Sequence, residues 1–184
     1  VQQGDTVEMT IINTLDTAHR FVIDELDVDS GVIAPGSQIS FSFNASQPGS
    51  FLYYDNSNVP FNRLLGLHGA IAVMPLNAPD QLYEGSPRFA QQYFWLFHDI
   101  DPVWHDRLSD NGTPSTPYTP LYFTLNGLSG RPPGAPGAMD PSVDSMADPR
   151  SKVDGHLGER TLLRCLNAGQ CQHCLLYTSP SPRD

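Results

Sequence analysis

Gly4-Asp5-Thr6-Val7-Glu8-Met9-Thr10-Ile11-Ile12-Asn13, with His19 six residues further on, has a counterpart 154 residues later in the chain. The counterpart is Gly158-Glu159-Arg160-Thr161-Leu162-Leu163-Arg164-Cys165-Leu166-Asn167, and His173 again stands six residues beyond it. In each copy a glycine turn opens a run rich in β-formers, an asparagine ends it, and a histidine lies on the way to the next strand. Self-similarity at a domain-sized spacing marks a duplicated unit. Two β-domains are expected, the second cut off soon after it begins.

The chain around these copies reads as β throughout. Residues 7–12, 21–23, 39–43, 51–54 and 70–74 are short, apolar or alternating, and bounded by the turn signals Pro35-Gly36, Pro48-Gly49, Asp55-Asn56 and Met74-Pro75. Ile39, Phe41 and Phe43 alternate with Ser40 and Ser42, which predicts one buried and one wet face. Short strands with no long helical pattern between them predict a sandwich or barrel. Ser86-Pro87 reads as the cap of one short helix before a strand that starts at Tyr93. From 131 to 155 the composition turns to Pro, Gly, Ser and Asp, which predicts a long loop. The expected division is a first domain over 1–78, a linker over 79–92, the N-terminal part of a second domain over 93–173, and a tail over 174–184.

That tail, Cys174-Leu175-Leu176-Tyr177-Thr178-Ser179-Pro180-Ser181-Pro182-Arg183-Asp184, matches the translation of a common transposase sequencing adapter. It is set aside from the reading of the fold. With Val1 first and no initiating methionine, the chain is expected to be a fragment open at both ends. Setting the tail aside also dissolves Cys171-Gln172-His173-Cys174, which otherwise reads as a C-x-x-C redox pair or half a zinc site. Cys165 and Cys171 remain. Cys165, between leucines, is expected to pack as a small apolar residue. Two cysteines make no disulfide framework and leave the redox compartment open.

Hydrophobic residues make up 39% of the chain, with no apolar run near the length of a membrane span. The net charge of −10 is the same without the tail, because Arg183 and Asp184 cancel. An acidic surface repels phosphate backbones, so nucleic acid is not an expected partner. No nucleophile elbow, phosphate-binding glycine loop or His-Glu-x-x-His is present. Asn44-Ala45-Ser46 and Asn111-Gly112-Thr113 match the short glycosylation pattern, which also arises by chance.

These residues resemble the multicopper oxidase family, built from cupredoxin domains. Gly4 to Leu15 is similar to the opening strand of a first domain. Gly49-Ser50-Phe51-Leu52-Tyr53-Tyr54 is similar to its ligand-bearing strand, and Gly66-Leu67-His68-Gly69-Ala70-Ile71-Ala72-Val73-Met74-Pro75 to the strand that closes it. Phe94 to Asp99 with Trp104, then Phe123-Thr124-Leu125-Asn126-Gly127, then Gly158 to Gly169, resemble successive pieces of a second domain. The resemblance implies an all-β, Greek-key cupredoxin-like β-sandwich, one domain near complete and a second begun. It implies copper as cofactor in the parent protein, weak or absent in this fragment, with later cupredoxin domains of the same chain as partners. It also implies a periplasmic or extracellular location.

The implied chemistry is oxidation of a substrate at a mononuclear copper, with electrons passed to a three-copper cluster that reduces dioxygen. The family's first His-x-His falls on His19-Arg20-Phe21, where only the first histidine is present. Its second falls on Tyr54-Asp55-Asn56, where neither is. A blue-copper site would need a cysteine near Tyr54 or Asp55, and residues 1–164 contain none. His19 and His173 are therefore the candidate metal ligands, set against a loop histidine at His19; His173 occupies the repeat position.

The other histidines carry plainer readings. His68 reads as packing. His98 and His105 flank Asp99-Ile100-Asp101-Pro102-Val103-Trp104, which could make an O/N metal site or be a strand end followed by an Asp-Pro turn. His156 reads as solvated. Three functions stay open: part of a copper-dependent oxidase completed by later domains, a non-catalytic cupredoxin module for copper binding or delivery, and a structural β-sandwich partner. No catalytic residue is assigned, and the fragment alone is expected to be inactive as an oxidase.

Overall fold

The computed structural model describes residues 1–110, 112–129 and 148–173. In chain order its strands are β1 (Thr6–Ile12), β2 (Phe21–Ile23), β3 (Val28–Asp29), β4 (Gln38–Asn44), β5 (Gly49–Asp55) and β6 (His68–Val73). They continue with β7 (Gln91–Ile100), β8 (Tyr122–Leu125), β9 (Leu128–Ser129) and β10 (Thr161–Asn167). Two short helices, α1 (Phe61–Leu64) and α2 (Pro102–Ser109), lie between them.

The alternation in β1 and β4 decides their pairing. They run antiparallel with Val7 opposite Phe43, Met9 opposite Phe41 and Ile11 opposite Ile39. The half-buried side chains of both strands therefore share one face. That face packs on a second sheet of order β3-β2-β5-β6. Ile23, Leu26, Val28, Ala45, Phe51 and Val73 form the buried core, with Phe21, Phe41, Phe43 and Tyr53 closing over it. The arrangement is an all-β sandwich, as the strand pattern predicts.

A third sheet has the order β10-β7-β8-β9. β10 lies parallel to β7 from Thr161 opposite Gln91 to Asn167 opposite Phe97. β8 and β9 make a hairpin over Asn126-Gly127, whose φ values of 50° and 79° are both positive. Asn-Gly tolerates that pair of conformations, which a two-residue hairpin turn requires.

The two copies of the repeat share their local geometry. Gly4 and Gly158 have φ of 91° and 89°. Asn13 Oδ1 accepts from Leu15 N–H at 3.0 Å, and its Nδ2 donates to the Thr17 carbonyl at 2.8 Å. Asn167 does the same two and four residues on, accepting from Gly169 N–H at 2.9 Å and donating to the Cys171 carbonyl at 2.8 Å. One asparagine thus satisfies a donor and an acceptor that the strand can no longer pair.

Two expectations are corrected. Ser86-Pro87 starts no helix: the Ser86 hydroxyl accepts from Leu82 N–H at 2.9 Å and so closes the preceding turn instead. Cys165 is exposed rather than packed, because its neighbour Arg164, 2% exposed, takes the inward position. Arg164 donates to Gln92 Oε1 at 2.9 Å within its own sheet and reaches across to β5, donating to Ser50 Oγ at 2.7 Å and to the Gly49 carbonyl at 3.4 Å. Of the loop expected over 131–155, residues 148–155 are described and cross β7. Trp95 Nε1 donates to the Ser151 carbonyl at 2.9 Å and the Tyr93 hydroxyl to the Asp154 carbonyl at 2.7 Å. The rest of that loop and the tail over 174–184 lie outside the described residues.

Candidate functional site

β2 pairs antiparallel with β5, placing Phe21 opposite Asp55 and Val22 opposite Tyr54. That register draws His19, just ahead of β2, against the end of β5. His19 Nδ1 pairs with Asp55 Oδ2, and its Nε2 lies 3.0 Å from the Thr17 hydroxyl. The Asp55 carboxylate is 6% exposed. It also accepts from Arg20 N–H at 3.1 Å, Ser57 N–H at 2.8 Å and Asn62 Nδ2 at 2.9 Å. Burial works to raise its pKa, but the Ser57 N–H, His19 and Asn62 together outweigh it and hold the carboxyl below its ordinary value. A cavity of about 450 Å³ opens beside this network, walled by Ile11, Leu15, Phe21, Tyr53 and Leu67.

Tyr54, next along β5, is equally committed. Its hydroxyl donates to Asp24 Oδ2 at 2.6 Å. That bond and then burial push its pKa up to about 12, so the phenol stays neutral. The Arg63 guanidinium lies 5.6 Å over its ring.

His98 and His105 face one cavity, but the carboxylates between them do not join it. Asp99 is fully buried and accepts from the Tyr118 hydroxyl at 2.6 Å, Cys171 N–H at 2.6 Å and Gln170 N–H at 3.1 Å. Burial opposes its ionisation, yet these donors keep its pKa below normal. Asp101 caps α2, accepting from Val103 N–H at 2.9 Å, and takes Thr119 N–H at 2.6 Å on its other oxygen. Both aspartates thus fasten the end of β7 to the loops around it, as the strand-end reading requires. α2 itself, with Pro102 in its first turn, follows where only a turn was expected.

His173 stands apart from His19. Its ring stacks on Phe97 at 5.0 Å and meets Phe123 edge-on at 6.1 Å, leaving a buried Nε2 without a hydrogen-bond partner. His156 is exposed and lies 3.2 Å from the Glu159 carboxylate. The pairing that sequence reasoning missed is Asp55 as the partner of His19, with Asn62 donating to the same carboxylate, which no local motif announces.

Solved structures with this fold include copper proteins. A copper nitrite reductase from Nitrosomonas europaea matches at a TM-score of 0.66 and 25% sequence identity, covering 91% of this chain and 55% of its own. A copper-containing nitrite reductase from Thermus scotoductus matches at 0.60 and 19% identity, over 91% of this chain and 36% of its own. A blue copper oxidase from Nitrosomonas europaea matches at 0.53 and 18% identity, over 67% and 41%. This chain shares the fold of these copper proteins. It spans about half the length of the nitrite reductase it matches, the 55% given above. No family model and no curated protein matches it.

In cupredoxins of this group, copper needs imidazoles and, at the blue site, a thiolate. The residues at the end of β5 do not fit a blue site. Asp55 is a carboxylate whose oxygens are taken by four hydrogen-bonding groups, and Asn62 offers an amide already donated to it. Among the described residues no three His, Cys, Asp or Glu side chains are grouped as a metal cage. No helix among them is long and apolar enough to cross a membrane.

Proposed function

We propose that this chain is the front part of a multicopper-oxidase-like protein. One cupredoxin domain over 1–78 is joined by 79–92 to the start of a second over 93–173. In the parent, oxidation of a substrate is coupled to dioxygen reduction at coppers completed by later domains of the same chain. The observation that carries this reading is the doubled unit: the same left-handed glycine, strand and asparagine turn at Gly4–Asn13 and Gly158–Asn167, each leading to a histidine. The likeness to the nitrite reductase supports it.

In this reading the first domain serves as a support. In the His-x-His register that the resemblance implies, Tyr54 and Asn56 stand where imidazoles would be needed; the Tyr54 hydroxyl is bound to Asp24, and Asp55 between them is consumed by structural bonds. His173, with its unpartnered Nε2, is the ligand that awaits partners further along the chain. His19 could serve only through Nε2, by giving up Thr17, with Asp55 behind it as the orienting carboxylate. A periplasmic or extracellular location and an adapter origin for 174–184 belong to the same reading.

The satisfied network around Asp55 also favours a second reading, a cupredoxin module that supports its partners without catalysis. The copper-loaded chain, offered a phenolic substrate in an oxygen electrode, should consume no dioxygen by itself. Turnover would contradict the assignment of this part as a support.

A further inference from the structure

His68 on β6, His98 on β7 and His105 on α2 line one cavity of about 280 Å³. The His68 and His98 rings lie 4.7 Å apart, tilted by 49°. His68 Nδ1 is 2.8 Å from the Arg63 carbonyl, which fixes the proton there and leaves Nε2 as a lone pair. His98 is 7% exposed, and its Nε2 is buried with no hydrogen-bond partner. His105 Nε2 is buried and unpartnered as well.

A buried imidazole nitrogen left as a bare lone pair needs a donor or a Lewis acid. Ligating histidines commonly give their other N–H to a backbone carbonyl, the arrangement that Arg63 provides for His68. Two imidazoles on one tetrahedral ion, at metal–nitrogen distances of ~2.0–2.1 Å, place their ring centres about 5 Å apart. The 4.7 Å separation of the His68 and His98 rings matches that spacing. The Arg63 guanidinium, whose charge acts on His68, lies over the Tyr54 ring.

We propose that His68 and His98, joined by His105, bind one tetrahedral transition-metal ion of the zinc type, with the fourth position open to the cavity. No three ligating side chains among the described residues are already grouped as a cage. The His68–His98 pair is therefore the fixed part, and His105 completes the set by turning its side chain within the cavity. The site uses neither His19 nor His173, so it stands or falls separately from the oxidase reading.

The test is a titration of the untagged chain, its thiols alkylated, with Co²⁺ and then Zn²⁺. The expected result is one Co²⁺ per chain, with the intense visible bands of a tetrahedral site, no sulfur charge-transfer band, and displacement by Zn²⁺. His68→Phe and His98→Phe should each weaken binding by more than about tenfold, a loss that outer-shell partners alone can cause. His105→Ala, at a half-buried helix position, should weaken it with little change in melting temperature. That variant carries the test if His98→Phe fails to fold. Absence of Co²⁺ binding overturns the proposal, as does binding that survives these substitutions or is lost in His19→Ala instead.

Discussion

Asp55 is the residue on which the first sandwich closes its open end. Replacing it by Ala strands His19, Arg20 N–H, Ser57 N–H and the Asn62 amide in a largely buried pocket. Removing one member of such a buried charged network costs about 3 kcal/mol or more, so Asp55→Ala should lower the urea midpoint clearly. The pH dependence has a definite sign. A carboxyl held below its ordinary value contributes fully above the unfolded pKa of ~3.9, and the contribution is lost as pH falls through the lower folded value. Urea midpoints measured downward from pH 5 should fall in the wild type, and fall less steeply in Asp55→Asn. The missing imidazoles at Tyr54-Asp55-Asn56 are legible in the sequence. The use made of Asp55 is not, because its partner His19 lies 36 residues away and only the β2–β5 register joins them.

Strands β1 and β10 owe their ends to Asn13 and Asn167. Asn13→Ala removes three neutral hydrogen bonds, one of them to the buried Ile33 carbonyl at 3.0 Å. About 1–2 kcal/mol of stability should go with them in a denaturant titration, and less at the more exposed Asn167. Gly169→Ala should be worse than its size suggests, since a Cβ there would overlap the Asp99 carboxylate and backbone. Overpacking of that kind costs about 1–3 kcal/mol. Alternation made β1 and β4 readable, because each has one wet face. β10 misled at Cys165, because a strand caught between two sheets can bury a long cation whose stem and head both find neighbours. The helix was expected at Ser86-Pro87, whereas Asp101-Pro102 holds the stronger signal: a side-chain cap with proline in the first turn. Read as a turn, that pair conceals the helix that follows it.

The sheets are tied together by Arg164, buried with no carboxylate partner among the described residues and reaching from β10 to β5. Burial lowers its pKa, and the Phe94 ring lies 5.9 Å from the guanidinium. Arg164→Ala should uncouple the sheets and split the calorimetric transition, while Arg164→Met, which fills the space without a buried charge, should keep it single. The proposed link to copper chemistry rests on the second copy of the opening unit and the histidine it leads to, His173. Sequencing the source DNA across the codon for His173 tests that directly. The proposed reading expects the frame to run on into a His-x-His strand and later a His-Cys-His. A frame that continues without those ligands, or that reads Cys174 to Asp184 as written, would contradict it.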